Sequence, residues 1–135
     1  MNAYSRNSKV AAYQSNAVHG GVAAADPHGL VLMLMSSAVE RLTTARGCIE
    51  RRETVQKAKL LHSCVRILGE LRGTLNVAEG GAIAENLSDL YDYMSRRLLR
   101  ANVENNVACI NEVLSLLGEI RSAWAAIGPQ VREAR

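Results

Sequence analysis

Three histidines and three cysteines are the side chains best suited to hold a metal ion, and their spacing decides whether they can. They are His19, His28, His62, Cys48, Cys64 and Cys109. A di-metal site in a helical bundle needs a glutamate three residues before a histidine, and none of the three histidines has one. His62 and Cys64 are two residues apart, so on a helix they point about 200° apart and cannot share an ion. The sequence therefore predicts no metal site.

Other patterns that could support catalysis are also missing from the sequence. The segment Glu79-Gly80-Gly81 lacks the Lys-Ser/Thr that completes a phosphate-binding loop, and a helix-breaking turn explains it better. No serine, histidine and aspartate follow a nucleophile motif. The odd number of cysteines, with no Cys-x-x-Cys pair, is typical of buried reduced thiols. We therefore expect no enzymatic activity and no cofactor.

The charge distribution argues against nucleic-acid binding. The 16 basic residues are interleaved with 13 acidic ones, for a net charge of +3, whereas a nucleic-acid binder gathers its positive charge on one face or tail. One cluster, Arg96, Arg97 and Arg100 beside Tyr93, is interpreted as a solvated face, with contact to a partner protein as the alternative. Nucleic acid is the weakest reading of this cluster because only Tyr93 could stack on a base.

The hydropathy pattern contains no membrane span. Residues 1–10 are polar and lack the apolar run of a secretion signal. The longest apolar stretch, residues 30–35, is far shorter than the roughly 20 residues that cross a bilayer. We therefore expect a cytoplasmic protein without membrane insertion.

Helix breakers divide the chain into four periodic segments. Asp26-Pro27 predicts an N-cap and a first helical position, Gly128-Pro129 predicts a stop, and further breakers fall at residues 47–53, 76–81 and 102–106. Between them apolar residues recur every three or four positions, and no run alternates as a strand would. The predicted fold is all-α, an antiparallel four-helix bundle over residues 27–128. Residues 1–26 are expected to form a mobile arm with a short helix near residues 3–16, and residues 129–135 a disordered charged tail.

The same periodicity predicts which residues lie in the core. Tyr91, Met94 and Trp124 are expected there, acidic side chains are expected on solvated faces, and Asn102 is expected to cap a helix. Two helices have apolar stripes wider than a simple bundle needs, through Leu60 and Ile67 in the second and Val113, Leu116 and Ile120 in the fourth. Surplus width indicates either full burial or an exposed groove for an amphipathic helix, and periodicity alone leaves both open.

One long segment resembles a known family. Residues 86–102, NLSDLYDYMSRRLLRAN, are similar to the signature of the flagellar secretion chaperones called FliS. Further matches occur in order along residues 4–129: Tyr4 and Tyr13, Pro27 before LVLML at 30–34, ILGEL at 67–71, EGGAIA at 79–84 and Ala123-Trp124. The chain departs from the family at Met35, Ser36 and Ser37, where an aromatic residue, an acid and a glycine are usual, and at Ser63-Cys64, where Lys-Ala is usual.

The resemblance implies both a fold and a function. It implies a four-helix antiparallel bundle with a short extra N-terminal helix. It also implies that the chain binds the disordered C-terminal segment of flagellin in the bacterial cytoplasm, prevents premature polymerisation and delivers it to the flagellar type III export gate. The residues expected to contact partners are Tyr4, Val10, Tyr13, Leu60, Ile67, Tyr93, Arg97, Val113, Leu116 and Ile120.

The implied partners are flagellin and a component of the export gate, and a second flagellar regulator and a homodimer remain open. The alternative function is a helical regulatory or DNA-binding protein. That alternative predicts retention on DNA that falls steeply with salt, because binding would neutralise several phosphates.

Overall fold

The computed structural model describes residues 26–128, and these residues form four helices. In chain order they are α1 (Pro27–Glu50), α2 (Thr54–Gly73), α3 (Val77–Glu104) and α4 (Val107–Ala126). The described part contains no strand, so the prediction of an all-α four-helix bundle is confirmed. The arm expected over residues 1–26 lies outside the described residues except for Asp26, as does the tail expected over residues 129–135.

Short connections make neighbouring helices antiparallel. α1 packs against α2, α2 against α3 and α3 against α4, and α4 closes the ring by packing against α1. Lys57 near the start of α2 contacts Asn102 near the end of α3, whereas Arg72 near the end of α2 contacts Ser88 in the first half of α3. In residues 26–128 no helix has both the length and the apolar character needed to cross a membrane.

Side-chain caps fix three of the helix starts. The Asp26 carboxylate accepts the His28 N–H at 3.0 Å with Pro27 in the first turn, as the sequence predicts. Asn76 and Asn106 accept backbone N–H groups in the same way at the starts of α3 and α4. These bonds satisfy donors that the first helical turn otherwise leaves without partners.

The prediction that Asn102 is a cap was wrong. Asn102 lies inside α3, and the helix ends at Asn105, which adopts a left-handed conformation with φ of 52°. Asparagine tolerates this conformation better than most residues, and Asn106 then begins α4. The expected break at residues 76–81 is also shifted, because α3 begins at Val77 and continues through a kink at Gly81, where φ is 56°.

The core consists of aliphatic side chains, three cysteines and one tyrosine. Tyr91 and Met94 are buried as predicted, and Cys48, Cys64 and Cys109 are buried free thiols. Burial raises the pKa of Cys64 to about 12, so this thiol stays protonated at neutral pH. Trp124, expected in the core, is partly buried and packs against its edge.

One acidic and one basic residue, Glu70 and Lys57, are buried. Glu70 lies three residues after Ile67 on α2 and is 7% exposed. The Sγ of Cys64 on the same helix donates to the Ala38 carbonyl of α1 at 3.6 Å. The prediction that acidic side chains lie on solvated faces is therefore wrong for Glu70. Lys57 is buried beneath the end of α3, where its Nζ donates to the Asn102 carbonyl at 2.9 Å and to Asn105 Oδ1 at 2.6 Å.

The residues that depart from the family pattern fit the bundle. Met35 is buried in the core, where a flexible thioether fills the space. Ser36 faces α4, and its hydroxyl accepts a hydrogen bond from Arg121 Nε at 2.8 Å. Ser37 accepts one from Arg41 on its own helix.

Candidate functional site

The structure separates the partner-binding candidates into four groups. Val113 and Ile67 are buried in the core, so a partner could contact them only if the helices moved apart. Leu60 is partly buried, one helical turn before Cys64 on the α1-facing edge of α2. Tyr4, Val10 and Tyr13 lie outside the described residues.

The remaining four candidates meet where α3 packs against α4. Tyr93 and Arg97 are one turn apart on α3, and both reach Glu112 of α4. Leu116 and Ile120 follow Glu112 by four and eight residues, on the same edge of α4. The structure therefore brings Tyr93, Arg97, Leu116 and Ile120 to one groove, which we call the α3/α4 groove.

A polar bridge crosses this groove. The Tyr93 hydroxyl donates to Glu112 Oε2 at 2.6 Å, and Arg97 Nε donates to Glu112 Oε1 at 2.7 Å. One carboxylate thus uses both oxygens to join two side chains of the facing helix. Hydrogen bonds to an ionised group are shorter and stronger than neutral ones, so the bridge fixes the register between α3 and α4.

The bridge shifts the pKa of each of its members. The hydrogen bond from Tyr93, followed by that from Arg97, holds the pKa of Glu112 below its ordinary value. The hydrogen bond to Glu112 raises the pKa of Tyr93 and also that of Arg97. At neutral pH the bridge therefore contains a carboxylate, a guanidinium ion and a neutral phenol.

Between the bridge and the Gly81 kink, the groove is apolar. The bridge sets the antiparallel register, which places Leu90 of α3 beside Leu116 and Leu87 beside Ile120. All four side chains are partly buried against the core. At the far end, Ile83 is 75% exposed and Ile127 is 41% exposed. Exposed apolar side chains at this end make the groove a candidate binding surface.

A stacked pair joins the start of α1 to the end of α4. The rings of His28 and Trp124 are 4.8 Å apart at 17°. His28 Nε2 donates to the Trp124 carbonyl at 2.6 Å, and Trp124 Nε1 donates to the His28 carbonyl at 3.0 Å. A Cβ at Gly128 would come within 2.5 Å of the His28 ring, so this close packing requires glycine. The pair holds the end of α4 that carries Ile120 and Ile127.

Sequence reasoning missed Glu112 and His28. Glu112 lies four residues before Leu116, on the edge of the wide stripe in α4, and this spacing is the one signal that could have indicated its role. His28 has no comparable signal, because its partner is 96 positions away.

The described residues offer no alternative metal centre. Within residues 26–128, no three histidine, cysteine, aspartate or glutamate side chains come together in a group that could hold an ion. The most developed surface feature is therefore the groove, whose apolar walls and single polar bridge suit an amphipathic helix.

Comparisons with known proteins give the family. The family model described as "Flagellar protein FliS" matches residues 8–131. The flagellar secretion chaperone FliS of Salmonella typhimurium is 41% identical over 124 residues, which cover 91% of this chain and 92% of that protein. The flagellar secretion chaperone FliSB of Pseudomonas aeruginosa is 40% identical over 115 residues, covering 85% and 91%. The FliS of Vibrio cholerae is 35% identical over 119 residues, covering 88% of each chain.

These matches confirm the resemblance carried by residues 86–102. They also confirm the prediction that the protein is not an enzyme, because the family consists of chaperones. The chain belongs to the FliS family and is a flagellar export chaperone.

Proposed function

We propose that the protein binds the disordered C-terminal segment of flagellin in the bacterial cytoplasm, prevents its premature polymerisation and delivers it to the flagellar type III export gate. The family supports a flagellar export chaperone. The α3/α4 groove is the observation that carries the choice of a helical cargo segment, because its apolar side chains are only partly covered by the bundle.

The cargo segment folds as it binds. Apolar residues spaced three and four apart on one face of a cargo helix enter the groove beside Leu90, Leu116 and Ile120. Ordering a disordered segment costs several kcal/mol, so binding needs a large apolar contact area. The exposed side chains of Ile83 and Ile127 extend that area beyond the two turns nearest the bridge.

The polar bridge sets the limit of the apolar contact. Tyr93 and Arg97 present hydrogen-bonding groups at the point where the apolar walls end. A cargo helix lying along the groove meets apolar side chains on one side of this point and charged ones on the other. The bridge therefore fixes the position of the cargo along the groove.

The N-terminal arm adds a second contact. Val10 and Tyr13 are three residues apart, so in a helix they share one side and dock together. The chain enters α1 beside the His28–Trp124 pair, which is also the end of the bundle where the groove opens. The arm either competes with the cargo for the groove or clamps the bound cargo there.

Isothermal titration calorimetry with the flagellin C-terminal segment tests the proposal. Ile83→Asp places a charge at the mouth of the groove on a side chain that is already exposed, so it should weaken binding about tenfold with little change in folding stability. The matched control is Val103→Asp on the same helix. Val103 is 84% exposed and lies away from the groove, so its replacement should leave affinity unchanged. Equal affinity for both variants and the unmodified chain would refute the groove as the cargo site.

A further inference from the structure

A second exposed surface lies on the other side of α3. Val103 is 84% exposed, Val55 is 71% exposed and Leu99 is 46% exposed. Two hydrogen bonds between α2 and α3 fix their register, one from Lys57 to Asn102 and one from Arg72 to Ser88. This register places Leu99 and Val103 beside the first two turns of α2. We call this region the α2/α3 surface, defined by Val55, Lys59, His62, Arg66, Leu99 and Val103.

The α2/α3 surface is separate from the α3/α4 groove. Leu99 is two residues after Arg97, so the two side chains point about 200° apart around α3. Arg97 points to α4, where it contacts Glu112. A single straight helix in the α3/α4 groove therefore leaves the α2/α3 surface exposed.

The exposed charge on the α2 side of this surface is entirely basic. The basic residues exposed on α2 are Lys59, Arg66 and Arg72, and its one acidic residue, Glu70, is buried. Arg72 of α2 forms an ion pair with Asp92 of α3. Among the ion pairs within residues 26–128, none involves Lys59 or Arg66.

The pattern of side chains matches a particular kind of partner. Lys59 follows Val55 by four residues and Arg66 follows Lys59 by seven, so basic and apolar groups share one outward stripe of α2. Leu99 and Val103, four residues apart, form the parallel apolar ridge on α3. A helix with apolar residues at matching spacing would bury this ridge, and carboxylates beside those residues would pair with Lys59 and Arg66.

We propose that the α2/α3 surface binds an acidic amphipathic helix of a protein other than the cargo, while the cargo occupies the α3/α4 groove. The two sites lie on opposite sides of α3, so the chaperone joins two partners at once. Nucleic acid fits this surface poorly, because three exposed aliphatic side chains would face phosphates with only two unpaired cations to bind them. The second site is argued from α2 and α3 alone, whereas the simultaneous binding of two partners rests on the proposed function.

A pair of synthetic peptides tests this proposal on the full chain. Both are about 18 residues long, or five helical turns, with leucines three and four positions apart. One carries glutamate at the flanking positions and the other carries lysine there. Fluorescence anisotropy should show the acidic peptide binding at least about tenfold more tightly, with an affinity that falls as salt screens the charges. Amide NMR shifts should map to α2 and the second half of α3.

Matched variants identify the surface. Val103→Asp, and separately Lys59→Glu with Arg66→Glu, should each weaken the acidic peptide about tenfold. Each alters exposed side chains, so circular dichroism should show unchanged folding. Ile83→Asp in the groove should leave this peptide unaffected. Saturation with the flagellin segment should also leave its affinity unchanged.

Several results would overturn the proposal. They are equal binding of the two peptides, NMR shifts confined to the α3/α4 groove, competition with the flagellin segment, or a dimer of the free chain that buries Val103. If the flagellin segment fails to bind while the acidic peptide still does, the cargo assignment and simultaneous binding are both wrong, and the assignment of an acidic helix to the α2/α3 surface is supported.

Discussion

Replacing Val113 with alanine tests whether this residue of α4 belongs to the core or to the α3/α4 groove. Val113 has no exposed surface and lies within the apolar core. The substitution removes two methyl-sized groups, worth about 0.8 kcal/mol each, and leaves a cavity that adds to the loss, for a total of about 2–3 kcal/mol. For a domain of this size each kcal/mol lowers the melting temperature by about 4 °C. We therefore expect Tm to fall by about 10 °C.

The matched variant is Ile83→Ala in the α3/α4 groove. Three quarters of the Ile83 side chain is exposed, so its removal should cost less than about 0.5 kcal/mol of folding stability. Thermal unfolding followed by circular dichroism measures the stability of both variants, and calorimetry measures their affinity for the flagellin C-terminal segment. Val113→Ala should lose stability and keep affinity, whereas Ile83→Ala should do the reverse. If Val113→Ala keeps its Tm and loses affinity, the placement of Val113 in the core is refuted.

Three further predictions concern the ends of the bundle, the bridge and the arm. Gly128→Ala should push the His28 ring away from Trp124, which would lower Tm and change the fluorescence of the one tryptophan. In the control Gly118→Ala the new Cβ meets no atom within 4 Å, so Tm should stay the same or rise. Equal Tm and fluorescence in the two variants would contradict the packing of His28 on Trp124. The pKa of Glu112 is held below its ordinary value of 4.5 in the folded chain, so its contribution to stability is present above that pH and is lost as pH falls through the folded-state pKa. The difference in Tm between the unmodified chain and Glu112→Gln should therefore shrink below pH 4.5, and a constant difference down to pH 3 would count against the bridge. Tyr13→Ala should weaken cargo binding in calorimetry more than it lowers Tm, and unchanged affinity with a large drop in Tm would contradict a cargo contact.

Helix positions were predictable because their signals are local. Asp26-Pro27 forms a cap and a first turn from neighbouring residues alone, and the three- to four-residue apolar period needs no knowledge of the partner helix. The exact ends were less predictable. Asn102, Asn105 and Asn106 all favour helix ends, and the left-handed turn formed at Asn105 three residues later than the sequence alone suggested.

The division of a wide stripe into core and groove was not predictable. Val113 and Leu116 are one turn apart on the same broad stripe, yet Val113 is fully buried and Leu116 is partly exposed. The difference depends on the rotation of α4 about its axis and on the neighbours on each side. Both are set by tertiary packing, which periodicity does not report.

Buried charged residues were unpredictable for a related reason. Lys57 is buried because the end of α3 supplies the Asn102 carbonyl and the Asn105 side chain to its ammonium group. Those partners are 45 and 48 positions away in the sequence, and no local pattern around Lys57 predicts these contacts. The pairing of Glu112 with Tyr93 and Arg97 was unpredictable for the same reason, because these residues are 19 and 15 positions apart in the sequence.

Co-purification with flagellin tests the central claim most directly. The chain would be expressed with full-length flagellin or with flagellin lacking its C-terminal segment, and the complex recovered at two salt concentrations. We expect the full-length protein to be retained in a one-to-one complex that is stable to salt, because apolar contacts are not screened, and the truncated protein to be lost. Equal retention of both flagellins, or of neither, would contradict the proposal that this chaperone holds the C-terminal segment.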